Sequence, residues 1–198
     1  AETAFESLVP GEPLIGSPLL VTGPGTGLGV ATLLPEPGGR WRVISGEGGH
    51  AAYASQTARE FVMVEALQAA GHAYVSNELV CSGSGFDAVR EALCALDGAA
   101  YEKLPPQAIL DAAARGDRHA REVCDLRAAA IMGAAGDMVL ANGTRGGVVL
   151  AGGVTLRLID ALRQSEAQAR FLERGPRSDF MRGVPIRVLT DETAPLIG

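Results

Sequence analysis

The stretch PLLVTGPGTGLGVATLLPEPGGRWRVISG, residues 18–46, consists of short apolar runs separated by clusters of glycine and proline. Apolar runs of strand length bounded by such clusters are typical of strands joined by tight turns. We therefore predict three hairpin-connected strands at 18–24, 29–35 and 40–46. An antiparallel unit of this kind needs further elements to cover its apolar face.

The rest of the chain supplies those elements. Apolar spacing near 3.6 residues predicts helices, and short apolar runs closed by glycine predict strands. The segment ELVCSG, 78–83, is interpreted as a short strand, and the opening AETAFESLVPGEP as the end of a helix followed by a loop. The predicted helices are 56–70, 86–97, 106–115, 117–142, 155–163 and 166–175, and the further strands are 146–154 and 185–190. This order predicts an α/β fold, a mixed sheet covered by helices in a single domain, 1–198.

Composition excludes several classes of protein. The 198 residues are 47% apolar, enough for a substantial core. With 17 Lys+Arg against 23 Asp+Glu and no basic run, nucleic acid is not an expected partner. Cys81, Cys94 and Cys124 include no C-x-x-C pair, so neither a disulfide scaffold nor a thiolate zinc site is expected. We found no membrane span or signal peptide and expect a soluble, cytoplasmic protein.

The loop GPGTGLG, 23–29, has four glycines in seven residues, so its backbone N–H groups can approach a phosphate closely. A plain hairpin turn explains the same glycines. The Thr26 hydroxyl, a donor suited to a phosphate oxygen, favours the phosphate interpretation. The loop matches neither the Walker A pattern nor the Rossmann fingerprint.

Two later glycine clusters also have two interpretations each. GSGFDA, 83–88, matches the dinucleotide pattern G-x-G-x-x-A, but the predicted strand before it is short, and close packing at a helix start explains it equally. LAGGV, 150–154, ends a buried strand at Gly152 and Gly153. A ribose or ring can rest against such bare backbone, although simple strand termination also accounts for it.

The stretch SGEGGH, 45–50, sets Glu47 and His50 three residues apart across two glycines. The glycines disfavour a helix and hence a helical metal-ligand pair. We predict a turn that presents both side chains outward, where a carboxylate and an imidazole suit sugar hydroxyls. Solvated loop residues are the alternative. Glu78 alone indicates only a solvent-facing strand start.

Taken together, these stretches resemble the bacterial ATP-dependent glucokinase family of actin-like, hexokinase-type sugar kinases. The similarity runs in family order over almost the whole chain. It is carried by GPGTGLGVATLL at 23–34, Trp41 with EGGH at 47–50, ELVCSGSG at 78–85, IMGAAGDMVLANGTRGGVVLAGGV at 131–154, and RGVPIRVLTDETAPLIG at 182–198.

The resemblance implies a ribonuclease-H-like fold in which this chain is the larger of two domains. It implies ATP and glucose as ligands, with Mg²⁺ held largely through the phosphates and water, and it leaves a homodimer open. It also implies site residues, which are Gly25, Thr26 and Gly27 toward the phosphates, Gly152 and Gly153 toward the adenosine, and Glu47, His50 and Glu78 toward the sugar.

Some family features are missing from the sequence. The opening D-x-G-G-T hairpin does not occur, nor does the Asn-Asp-Phe segment whose aspartate is the family's general base. Asp191 or Thr193 is a candidate cap for a further helix, the family's return helix. We therefore expect a fragment with little kinase activity alone. A non-catalytic sugar- or nucleotide-binding module and, from 83–88, an NAD-binding oxidoreductase are the alternatives.

Overall fold

Residues 4–190 are described by a computed structural model, in which six strands form one mixed sheet. The predicted caps Asp191 and Thr193 lie outside the described residues. Across the sheet the strand order is β1-β6-β5-β2-β3-β4. The strands are β1 Phe5–Val9, β2 Leu19–Pro24, β3 Leu28–Glu36, β4 Arg40–Gly46, β5 Val148–Leu150 and β6 Ile186–Leu189.

Helices occupy most of the remaining chain between β4 and β6. Single 3₁₀ turns lie at Gly48–His50 and Gly175–Arg177. The α-helices of the described residues are α1 Ala58–Ala69, α2 Asn77–Cys81, α3 Phe86–Leu96, α4 Pro106–Ala114, α5 Arg118–Asn142, α6 Gly153–Arg157, α7 Ile159–Leu162, α8 Ser165–Leu172 and α9 Ser178–Arg182.

The three hairpin-connected strands are confirmed. β2 pairs antiparallel with β3, and β3 with β4, in continuous register. β5 then lies parallel to the other side of β2, with Val21 opposite Val149, and β6 lies parallel to β5. Antiparallel and parallel pairs therefore meet at β2 in one sheet. This is the predicted mixed α/β arrangement.

Three predictions of local structure were wrong. The opening segment is a strand, because β1 pairs antiparallel with β6 and sets Phe5 opposite Leu189. Residues 78–83 do not form a strand. Residues 78–81 belong to α2, whose start is capped where the Leu79 N–H donates to Ser76 Oγ at 3.1 Å, and Ser82 and Gly83 follow the helix. The strand predicted at 146–154 ends at Leu150, because Gly152 has a φ of +91°, which a strand does not allow.

The long helix α5 buries many of its residues in the core. Alanine and glycine on this helix let α8 and the chain after it approach closely. The carbonyl oxygen of Gly133, for example, accepts a hydrogen bond from Arg174 Nη2 at 2.7 Å. Within residues 4–190, no helix is both long and apolar enough to cross a membrane.

Candidate functional site

The loop between β2 and β3 is held in place by its carbonyl groups. The Gly25 N–H donates to the Gly27 carbonyl oxygen at 2.8 Å, which closes the turn. The Gly25 carbonyl accepts from the Gly83 N–H at 2.9 Å, and the Thr26 carbonyl accepts from Ser84 Oγ at 3.1 Å. Three carbonyl groups that would repel a phosphate are thus engaged by the chain itself, while Thr26 stays exposed.

Gly25 and Thr26 of this loop line a cavity of about 340 Å³, and Gly153 lines the same cavity. The volume suits a small ligand. The lining includes two arginines and no carboxylate, so the cavity favours an anion. Its full lining is Gly25, Thr26, Gly83, Ser84, Phe86, Pro106, Leu110, Arg127, Gly153, Val154, Arg157 and Leu158.

Gly152 and Gly153 follow β5, and the lack of a side chain has a different consequence at each. A Cβ on Gly152 would lie 2.6 Å from the carbonyl oxygen of Pro24, and its φ of +91° already excludes most side chains. A Cβ on Gly153 would meet nothing within 4 Å. Gly152 therefore lets the chain turn tightly against β2, whereas Gly153 keeps the cavity wall open.

The turn predicted at Glu47 and His50 is confirmed. β4 ends at Gly46, and one 3₁₀ turn follows, closed where the His50 N–H donates to the Glu47 carbonyl at 2.9 Å. The Glu47 side chain is 90% exposed and that of His50 63%, with Oε2 and Nε2 separated by 3.9 Å. A side chain at Gly49 would collide with the Leu28 carbonyl. This glycine therefore permits close packing against β3, while both polar groups face solvent.

Glu78 connects this turn to the glycine loop. It lies half-buried in the first turn of α2, where the structure corrects the expectation of a solvent-facing strand start. Its Oε2 accepts the Leu28 N–H at 2.9 Å and lies 2.5 Å from the Cβ position of Gly27. Because Gly49 packs on the carbonyl of the same Leu28, the Glu78 carboxylate and the exposed turn adjoin the start of β3.

A second, wider groove of about 590 Å³ lies between α5 and the strands β3 and β4. Neither Glu47 nor His50 lines it, and Asp137 is the one charged residue among its lining side chains. Its walls are mostly apolar, with Val30, Ile44 and Met138. With one carboxylate and no arginine or lysine in its lining, this groove does not favour a polyphosphate.

The pattern at 83–88 does not form a dinucleotide site. The Rossmann fingerprint requires a strand before the glycines, and here the helix α2 precedes them. A Cβ at Gly85 would collide with the carbonyl of Leu79. The glycines therefore allow close packing at the start of α3, and the NAD hypothesis loses its structural basis.

Arg127 and Arg157 are cavity residues that the sequence analysis missed. Arg127 lies four residues after Val123 and four before Ile131, within the buried face of α5, and is itself fully buried. A charged residue in the apolar stripe of a helix is the signal that identifies it. Burial lowers the pKa of the Arg127 guanidinium to about 10, so it remains protonated at neutral pH. Arg157 gives no comparable signal in the sequence.

A sequence profile of the family described as Glucokinase matches residues 1–198. The chain belongs to the glucokinase family. It is 38% identical over 192 residues to glucokinase of Chromobacterium violaceum, covering 95% of this chain and 54% of that protein. It is also 38% identical over 180 residues to glucokinase of Pseudomonas aeruginosa strain LESB58, covering 90% of this chain and 54% of that protein. The chain thus spans about half the length of the curated relatives it matches.

Solved structures agree with this assignment. The chain superimposes on a glucokinase from an Antarctic psychrotroph with a TM-score of 0.90 and 30% identity, over 98% of this chain and 60% of that one. A glucokinase from Balamuthia mandrillaris, solved with glucose, superimposes with a TM-score of 0.80 and 23% identity. The match covers 90% of this chain and 51% of that one. The second likeness concerns the fold alone. The predicted actin-like, ribonuclease-H-like fold class is confirmed.

Proposed function

We propose that this glucokinase-family chain binds ATP and glucose as the larger domain of an enzyme that converts them to ADP and glucose 6-phosphate. One observation carries the proposal. Gly25, Thr26 and Gly153 line one cavity, and Glu78 connects the glycine loop to the exposed pair Glu47 and His50. Two sites for the two substrates of a kinase therefore adjoin each other.

The cavity accounts for nucleotide binding. A neutral loop with engaged carbonyls, an exposed threonine hydroxyl and two arginines suits a polyphosphate. Gly153 adds no side chain to the lining, so a ribose or base can lie against its backbone. Bound with its phosphates and water, Mg²⁺ would neutralise charge on the transferred group. The residues that line the cavity position the nucleotide, and the glycines among them leave room for it.

The exposed turn accounts for hexose binding. The Glu47 carboxylate accepts hydrogen bonds from hydroxyl groups, and the imidazole of His50 donates or accepts according to its tautomer. Glu78 uses Oε2 for the Leu28 N–H, which leaves Oε1 for a sugar hydroxyl. Phosphoryl transfer depends chiefly on such positioning, because the phosphoryl group itself needs little covalent assistance.

The proposal is tested by calorimetric titration of the 198-residue chain with MgADP, glucose and NADH. We expect ADP and glucose to bind and NADH to give no signal. Glu47→Gln is expected to weaken glucose binding by about tenfold, since a hydrogen bond to a charged group contributes roughly 1.5–3 kcal/mol. ADP binding should stay within twofold, and Glu65→Gln, an exposed glutamate on α1, is the matched control.

Turnover is measured separately by a coupled assay for glucose 6-phosphate, because the segment expected to supply the base does not occur in the 198 residues. ADP and glucose binding without turnover matches the proposal for this domain. Binding of neither ligand contradicts it. Equal losses of glucose and ADP affinity in Glu47→Gln would make the turn structural, and NADH binding would revive the oxidoreductase alternative.

A further inference from the structure

Arg127 combines full burial with incomplete hydrogen bonding. Its Nη2 donates to the carbonyl oxygens of Cys81 at 2.6 Å and Ser82 at 2.7 Å. Its guanidinium carbon lies 3.9 Å from the centre of the Phe86 ring. Among residues 4–190, neither Nε nor Nη1 has a hydrogen-bond partner, and no carboxylate forms an ion pair with this guanidinium. A buried charge left without a counter-charge destabilises a fold, so a functional explanation is needed.

The carbonyls that Arg127 holds belong to the segment 81–84, which backs the glycine loop. Gly83 and Ser84 donate the two hydrogen bonds that anchor the carbonyls of Gly25 and Thr26. The guanidinium is therefore connected to the loop through one short piece of backbone. Arg127 also lines the same cavity, in which no carboxylate offsets its charge.

We infer that Arg127 is a positioning residue for the nucleotide, which fixes the 81–84 segment behind the glycine loop and places a positive charge behind the bound polyphosphate. The inference rests on the proposed function. Because Nε and Nη1 are shielded from solvent, the charge acts through the cavity wall and not by direct contact. A unit charge about 10 Å from another, at an effective dielectric constant near 20, changes an affinity by roughly tenfold.

The test compares MgADP with adenosine, which shares the nucleoside but has no phosphate. Affinities are measured by calorimetry on the full chain for the wild type and for Arg127→Gln, Arg127→Met and Arg127→Lys. Glutamine keeps an amide NH₂ group as a donor for the carbonyls and removes the charge, whereas lysine keeps the charge. We expect both neutral variants to bind ADP about tenfold more weakly and adenosine within threefold of the wild type. Lysine should stay within about threefold for both ligands.

Arg90→Met is the matched control. Arg90 is also buried, donates from Nη1 to the Glu102 carbonyl at 2.7 Å and lies over the Tyr101 ring, but it does not line the cavity. Its substitution should leave the ratio of ADP to adenosine affinity unchanged, even where thermal unfolding shows a loss of stability.

Several outcomes overturn the inference. These are an unchanged ADP-to-adenosine ratio in a folded neutral variant at 127, an equal change in Arg90→Met, and a lysine variant as weak as the glutamine one. If neither neutral variant folds, the guanidinium is structural and the inference is equally wrong. A wild-type chain that binds neither ADP nor adenosine contradicts the proposed function itself, which separates that failure from the others.

Discussion

Replacing each of the two glycines after β5 with alanine should separate folding from nucleotide binding. Gly153→Ala adds a methyl group at a position with no atom within 4 Å and without a positive φ. It also begins helix α6, where alanine is favoured over glycine by up to about 1 kcal/mol. We therefore expect the free energy of unfolding to stay unchanged or to rise by less than about 1 kcal/mol.

The same methyl group is added to the lining of the cavity that Gly25 and Thr26 also line. Overpacking of a fitted site typically costs about 1–3 kcal/mol, which corresponds to roughly 5- to 150-fold in affinity. We expect ADP affinity to fall within this range and glucose affinity to remain near that of the wild type. Calorimetry with each ligand supplies the measurement.

Gly152→Ala is the matched comparison. Its φ of +91° and the 2.6 Å separation between the added Cβ and the Pro24 carbonyl oxygen require the backbone to move. A loss of about 2–4 kcal/mol in unfolding free energy is expected, measured with urea. The reasoning fails if Gly153→Ala binds ADP like the wild type, or if Gly152→Ala is as stable as Gly153→Ala.

Two further predictions concern charged networks away from the cavity. Arg170 Nη1 forms an ion pair with the buried Glu60 at 2.9 Å. Arg170→Met should therefore lower the free energy of unfolding, measured with urea, by about 3–5 kcal/mol. A variant as stable as the wild type would contradict this prediction. A hydrogen bond from Arg59 and, to a smaller extent, one from His119 lower the pKa of Asp97 from 3.8 to about 2. The stabilisation from this carboxylate is therefore complete above pH 4 and is lost as the pH falls toward 2. At pH 6, Asp97→Asn should have a lower free energy of unfolding than the wild type, and this difference should disappear near pH 2. A difference in unfolding free energy that does not depend on pH would show that the Asp97 carboxylate is not its source.

The sequence predicted most of the fold, because its main signals are local. Alternating apolar runs and glycine clusters located β2, β3 and β4, and the spacing of apolar residues located the long helices. The misassigned segments depend on distant partners. The first strand is stabilised by its pairing with β6. The segment 78–83 has an apolar composition typical of a strand, and the cap at Ser76 instead stabilises the start of a helix there.

The candidate site was predictable in its parts but not in its connections. The glycine loop, Gly153 and the pair Glu47 and His50 were identified from local chemistry and from the family resemblance. That Glu78 would bind the backbone of Leu28, 50 residues earlier in the chain, follows only from the folded structure. Arg127 was missed because the segment 117–142 was interpreted only as a long helix. The roles of the candidate site residues in binding stay predictions. The homodimer and the cytoplasmic location also stay predictions.

We propose that one chain holds two adjoining but separate sites, one for a nucleotide and one for a hexose. The most direct measurement is a set of four titrations, with ADP and glucose each added to Gly153→Ala and to His50→Asn. Two independent losses are predicted, of ADP binding in the first variant and of glucose binding in the second. Parallel losses of both ligands in either variant, with the fold intact by circular dichroism, would contradict the account.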